Sequence, residues 1–211
     1  MKNIYAATLT SLLVANTVIA EELKAPATAD CFTKLAFERH SGYAYDPSKQ
    51  VSKQQLQTLV DIARLAPSSY NEQPWVFLIC DKTTNPEAYQ KAVDGLVEFN
   101  QKWAQRAPVL IIVAANTLSS KNNHFNNQAE YDTGAAAYGL TLGAASLGLM
   151  AHQMGGFDRE KITRSFNIPK DFVPMAVIAI GYEAPDQSPK AKERKPLSDN
   201  VFYQSWGKTL N

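Results

Sequence analysis

Cysteine, histidine and an excess of either charge are all scarce in this 211-residue chain. Cys31 and Cys80 form no CxxC pair and have no metal-ligand spacing. Cys80 closes an apolar run, as a small core residue would. The three histidines, His40, His124 and His152, are scattered, and none lies in an HxxxH or HExxH pattern, so no metal site is expected. Basic residues number 21 and acidic residues 20, a net charge of +1. That balance offers no field for nucleic acid or for an anionic membrane surface, although a local anion site is compatible with it. GxSxG, GxxxxGKS/T and GxGxxG are absent, as is any internal repeat.

Hydrophobic residues make up 45% and charged residues 19%, the composition of a folded globular protein. The length fits one domain, or at most two small ones, with a core that needs no disulfide. The amino terminus reads differently from the rest. Lys2 precedes an uncharged stretch from Ile4 to Ala20, and Val18-Ile19-Ala20 offers small residues before Glu21-Glu22. This is the pattern of a secretory signal peptide over residues 1–20. It implies an exported or periplasmic protein if cleaved, and a cytoplasmic one with a leading helix if not.

Along the chain, helix and strand signals alternate. Asp30 is placed to cap a short helix, and Ser52 with Gln55 forms a capping box that opens another. Trp75 to Cys80, Val109 to Ala115 and Met175 to Tyr182 read as buried strands. Pro86 starts a helix directed toward Trp103, Asn116 to Gln128 is a polar loop, and Asp158 caps a short helix ending near Phe166. Thr133 to Met150 is uncharged but too rich in Gly and Ala for a membrane span. It predicts a buried helix, central or at a dimer interface, with Gly139 and Gly143 as a GxxxG contact. From Glu183 onward a Pro- and Lys-rich tail must lie on something. The fold class is α+β or α/β, one sheet between helical layers.

Four segments stand out chemically. Arg39-His40-Ser41 offers an anion fork and a hydroxyl. Pro67-Ser68-Ser69-Tyr70-Asn71-Glu72-Gln73-Pro74-Trp75 brackets short polar side chains between prolines. Gln153-Met154-Gly155-Gly156-Phe157-Asp158 bares backbone N–H groups before a capped helix. Lys192-Glu193-Arg194-Lys195 is a basic cluster in the tail. Singly, each has an ordinary structural reading: a solvated helix end, a turn, a strand-to-helix link, a solvated face.

Together, in this order, they resemble the FMN-dependent nitroreductase family, from about Asp30 to Leu197, and in particular its oxygen-insensitive bacterial members. The resemblance implies an α+β fold, a three-layer α/β/α sandwich around a mixed, mainly antiparallel sheet, in a homodimer with two sites at the interface. It implies an extra segment at 1–28, an FMN-binding domain at 29–197 and a tail at 198–211 that packs on the partner subunit. Arg39 and Ser41 match residues that hold the FMN phosphate and ribityl chain, and His40 would meet the pyrimidine edge through its backbone. Pro67, Ser68, Ser69 and Asn71 match the loop that the second subunit lays along the flavin, and Asn100 matches an amide at the pyrimidine edge. Gly155 and Gly156 match the turn whose backbone N–H faces flavin N5, where a glycine permits close approach and any left-handed dihedral. Lys192 and Arg194 match a pair that clamps the phosphate.

Tyr43 and Trp103 depart from the pattern, because close relatives carry basic residues there, near flavin N1 and O2. Lys102 is the nearest cation in sequence, at a different helix phase. The implied activity is ping-pong transfer of hydride from NAD(P)H through tightly bound FMN to small nitroaromatic or quinone-like acceptors. The alternatives are dehydrogenation or reduction of another small organic substrate on the same flavin fold, and a flavin-binding protein without turnover.

Overall fold

A computed structural model describes residues 21–22, 27–28, 30–185, 187 and 192–210. The signal-peptide reading of residues 1–20 falls outside the described residues. In chain order the elements are β1 (Glu21–Glu22), α1 (Cys31–Glu38), α2 (Lys53–Ala63), β2 (Trp75–Asp81), α3 (Pro86–Asp94), α4 (Glu98–Ala104), β3 (Val109–Asn116), α5 (Ala129–Ser146), β4 (Met150–Met154), α6 (Arg159–Ser165), β5 (Phe172–Gly181) and β6 (Glu193–Arg194). They fall into two compact units. The larger spans Ala25–Pro189, and the smaller contains the described residues 21–22 and 192–210.

Local rules set many of the boundaries. The Asp30 carboxylate accepts the Thr33 N–H at 2.7 Å and starts α1. Ser52 and Gln55 close their reciprocal capping box at the head of α2. Asn85 caps α3 with Pro86 in its first turn, and Asp158 caps α6. The helix expected from Pro86 toward Trp103 is two helices. The break at Gly95 to Val97 is fixed from outside: Leu96 bridges Phe157, and the Val97 N–H donates to the Gly156 carbonyl at 3.1 Å.

The sheet runs β2-β3-β5-β4, and each pairing is antiparallel, so the mixed sheet expected above has no parallel pair among the described residues. Alternation along β3 sends Leu110 and Ile112 to one face and Val109, Ile111 and Val113 to the other. The first face packs under α3, α4 and α6, with Tyr89, Val93, Leu96, Trp103 and Ile162 in the core. The second packs under α2 and α5, with Leu56, Leu59, Leu140 and Ala144. The three layers are therefore helices, sheet, helices, as expected.

The Gly/Ala-rich helix is offset from its uncharged run, beginning at Ala129 instead of Thr133. It ends at Ser146, Gly148 turns the chain at φ +68°, and Met150 already belongs to β4, a strand the sequence reading lacks. Its GxxxG residues serve packing within the chain: Gly143 faces Ile62 and Gly139 the backbone of Ala63, both on α2. A Cβ on Gly143 would lie 2.9 Å from Ile62 Cδ1. Burial pushes the Cys80 thiol up to about 12, the behaviour of an inert core residue.

Candidate functional site

Three segments remote in sequence line the β4 edge of the sheet. The first is the chain that leaves α1. Arg39 ends that helix through its N–H, which donates to Leu35 O at 2.9 Å. Its half-buried side chain has no ion pair among the described residues, and Ser41 beside it is exposed. His40 turns its side chain the other way, with Nε2 2.9 Å from the Glu183 carboxylate. A cavity of ≈ 190 Å³ lies here, between Leu35, Arg39, His40, Ala145, Met150 and Glu183.

The second segment is α4. Its buried face carries Asn100 and Trp103. Tyr43, half-exposed, meets Trp103 edge-on at 5.1 Å and Phe99 at 6.2 Å between ring centroids. Lys102 points elsewhere and pairs with Glu98 at 2.7 Å, so it supplies no cation to this cluster.

The third is β4 and the turn after it. His152 packs its ring against Trp103 at 4.5 Å and Tyr43 at 4.9 Å, with Nδ1 2.9 Å from the Gly42 carbonyl. A carbonyl only accepts, so the bond assigns the proton to Nδ1. Burial lowers the His152 pKa, partly offset by this bond. Four residues on, the Asn100 amide donates to the Gly156 carbonyl at 2.9 Å. The two glycines then differ. A Cβ on Gly156 would sit 2.7 Å from Asn100 Nδ2, whereas one on Gly155 would meet nothing within 4 Å. Neither has positive φ, so the left-handed dihedral allowed for at this turn is not used, and close approach alone accounts for Gly156.

The Pro67–Pro74 segment forms a separate wall. Tyr70, Asn71 and Gln73 all have positive φ, 51°, 56° and 49°, without a glycine among them. Polar contacts hold the loop in this conformation. The Ser69 N–H donates to Asp132 Oδ2 at 2.9 Å, and the Gln73 N–H to Ser68 Oγ at 3.0 Å. Pro67 and Asn71 are exposed, and Ser68 and Ser69 half-buried. Sequence reasoning overlooked Asp132 and Glu72. Asp132 had a signal, an acid heading an uncharged helix. Glu72 had none, because its partners lie 47 and 48 residues away.

Lys192 and Arg194 belong to the smaller unit. There β6 pairs antiparallel with β1, Glu21 opposite Arg194, and the exposed Arg194 guanidinium donates to the Glu193 carbonyl at 2.8 Å. Among the described residues no helix is long and apolar enough to cross a membrane, and no cluster of metal-ligating side chains occurs.

The nitroreductase family model matches residues 36–182, and so covers every element from β2 to β5. A solved structure described as an oxidoreductase containing FMN superposes with a TM-score of 0.76 and 32% identity over 83% of this chain and 92% of that one. The oxygen-insensitive NADPH nitroreductase of Helicobacter pylori is 26% identical over 77% of this chain and 92% of its own length. The CLA biosynthesis enone reductase of Lactiplantibacillus plantarum is 25% identical over 71% of this chain and 84% of its own length. With most of its larger unit matched by the family model, the chain belongs to the nitroreductase family of NAD(P)H oxidoreductases.

Proposed function

We propose that the protein binds FMN and oxidises NAD(P)H, passing the hydride in a ping-pong cycle to small acceptors such as nitroaromatics and quinones. The observation that carries this reading is the placement of Arg39–Tyr43, Asn100 and the Gly155–Gly156 turn along one strand, β4. The residues fit the cofactor. An arginine and a serine without partners in the described structure suit a phosphate and a ribityl chain. The open face of Gly155 leaves room for a flat ring, and the Asn100–Gly156 bond fixes the turn that would carry the backbone donor. Arg39 and Ser41 would hold the phosphate end. His40, Tyr43 and Asn100 would face the pyrimidine edge. FMN supplies the hydride chemistry itself. The chain's own part is to bind, orient and shield, which explains why no acid–base or nucleophile motif was found.

The same reading needs a homodimer, with Pro67, Ser68, Ser69 and Asn71 of one subunit closing the site of the other. Three features support it. The cavity beside Arg39 is smaller than the roughly 300 Å³ at which small-molecule sites begin, as expected of half a site. Tyr131, Gly134, Ala135 and Tyr138 leave an apolar stripe on the outer side of α5, of which Tyr131 is 78% exposed. The edge strand β2 leaves Val76, Leu78 and Ile79 partly bare, a place for a tail such as 198–211 from the partner.

An enone reductase among the relatives favours a second reading, reduction of an activated C=C bond on the same flavin. Purified protein should carry a flavin absorbance released as FMN, be bleached anaerobically by NADH or NADPH, and recover on adding a quinone, a nitroaromatic or an enone. Protein that neither retains nor takes up FMN would overturn the proposal, and recovery with the enone alone would select the second reading.

A further inference from the structure

Two loops are joined by a single carboxylate. Glu72, half-buried in the Pro67–Pro74 segment, accepts the Ser119 hydroxyl on Oε1 at 2.7 Å and the Ser120 N–H on Oε2 at 2.8 Å. Bonds from Ser120 and Ser119 hold its carboxyl below the usual range, with the nearby Lys121 charge adding to the effect. Lys121 makes a second tie, with Nζ 4.6 Å from the centre of the Tyr70 ring.

The segment so gripped is a small hairpin with bonds of its own. The Ser119 N–H donates to His124 O at 2.9 Å, the Asn123 N–H to Ser119 O at 3.0 Å, and the Asn126 N–H to Thr117 O at 2.8 Å. Leu118 and Phe125 form an antiparallel bridge, and Asn123 turns the chain at φ +57°. At its tip His124 is exposed and Phe125 is 66% exposed. Such a hairpin could swing on its stem. The carboxylate removes that freedom by taking a side-chain and a main-chain donor from adjacent residues, a two-point contact that fixes direction as well as distance.

We propose that Glu72 is a positioning residue that holds the 117–126 hairpin as a fixed wall of the acceptor site and thereby sets which acceptors enter. This rests on the functional reading above, in which Ser68, Ser69 and Asn71 lie along the flavin. Glu72 follows Asn71 directly, and Ser119 is one hydrogen bond further. The hairpin must then stand beside the ring, with Phe125 and His124 flanking whatever approaches it. Glu72 lies between Asn71 and Gln73, which with Tyr70 have positive φ, so the clamp gives that local cost a use.

The test compares full-length, FMN-loaded wild type with Glu72→Gln, which keeps the shape but only one accepting oxygen, and Ser119→Ala, which leaves the strained loop untouched. Amide hydrogen exchange reads the clamp. Exchange across residues 118–126 should rise at least about tenfold in both variants. Acceptor selection is read as the ratio of kcat/KM for anthraquinone sulfonate to that for p-benzoquinone, which should shift about tenfold or more while FMN affinity stays within about twofold. Unchanged exchange in both variants would refute the clamp. Faster exchange with an unchanged ratio would refute the wall. Wild-type protein that binds no FMN would instead remove the functional reading, and the acceptor role with it.

Discussion

The Gly155–Gly156 turn and the Pro67–Pro74 loop are both proposed to touch the same cofactor, yet they are built in opposite ways. The turn hangs from the edge strand β4 and is held by a buried amide and a backbone N–H, both on the Gly156 carbonyl. Its backbone is unstrained, and the second glycine is packed tight against Asn100 and Val97. The loop carries three non-glycine residues in the left-handed region and is held by side-chain acceptors, Asp132, Ser68 and, outward, Glu72. Core packing fixes the first, so its position should resist anything that spares the core. A few polar contacts fix the second, each removable by one atom's change. A rigid half that orients the ring and an adjustable half that selects the substrate is a division of labour suited to a fold with many acceptors.

The largest effect expected is at Gly156. Alanine there puts a methyl 2.7 Å from Asn100 Nδ2 and 3.0 Å from Val97 Cγ2, so the amide must move and its bond to the turn is lost. Gly156→Ala should cost ~1–3 kcal/mol, read as a fall in Tm. Gly155→Ala adds a methyl to open space and should stay within ~0.5 kcal/mol of wild type. The same methyl should weaken FMN binding, because the space it fills is the proposed ring face. Equal losses of stability in the two variants would show that the turn is not packed as described.

How much of this was legible in the sequence depends on the range of the forces involved. Asp30, Ser52 and Asp158 could be read as caps because a cap is satisfied within three residues. The strands from Trp75, Val109 and Met175 could be read because their residues are apolar nearly throughout, although the last begins three residues earlier, at Phe172. β4 could not. Met150-Ala151-His152-Gln153-Met154 mixes polar and apolar residues, and His152 and Gln153 are explained only by partners far away, Gly42 for one and Ala137 and Thr141 for the other. The interruption before α4 escaped for the same reason, being set by Gly156 and Phe157. Of the site, the motif residues were visible as a set through resemblance. The groups that position them act across tens of residues: Glu72 and His152 leave no local signal, and Asp132 only that of an acid at the head of an uncharged run.

A smaller effect should follow from removing an acceptor on the loop side. Asp132→Ala leaves the Ser69 N–H without its partner and should cost about 1 kcal/mol. Asp132→Asn keeps an accepting oxygen at the same place and should recover most of that. Amide exchange at Ser69 separates the two variants. If asparagine is as damaging as alanine, the charge of Asp132 and not its hydrogen bond holds the loop.

The smallest effect would reverse the comparison, because under mild acid the weaker half should be the turn. His152 is the titrating group packed beside it, against Tyr43, Trp103 and the Gly42 carbonyl. Burial lowers its pKa from the ordinary value near 6.5, so the fold favours the neutral ring. Its contribution to stability is therefore complete above about pH 6.5 and is lost as pH falls through the lower folded value. The ring keeps some solvent contact, which limits the loss to less than about 1 kcal/mol. On the loop side the Glu72 carboxyl lies below its ordinary range, so its clamp persists until well under about pH 4.3. Between pH 7 and 5, wild-type protein should lose slightly more stability than His152→Gln, which cannot protonate. Subtracting the two curves cancels what the two proteins have in common. Amide protection factors, with the intrinsic pH dependence of exchange divided out, should fall at Gly42 and Tyr43 over this range and stay level at Ser120. A difference curve that is flat, or that rises toward acid, would mean that the ring is protonated in the fold without cost and that Tyr43 and Trp103 leave it more water than their packing implies.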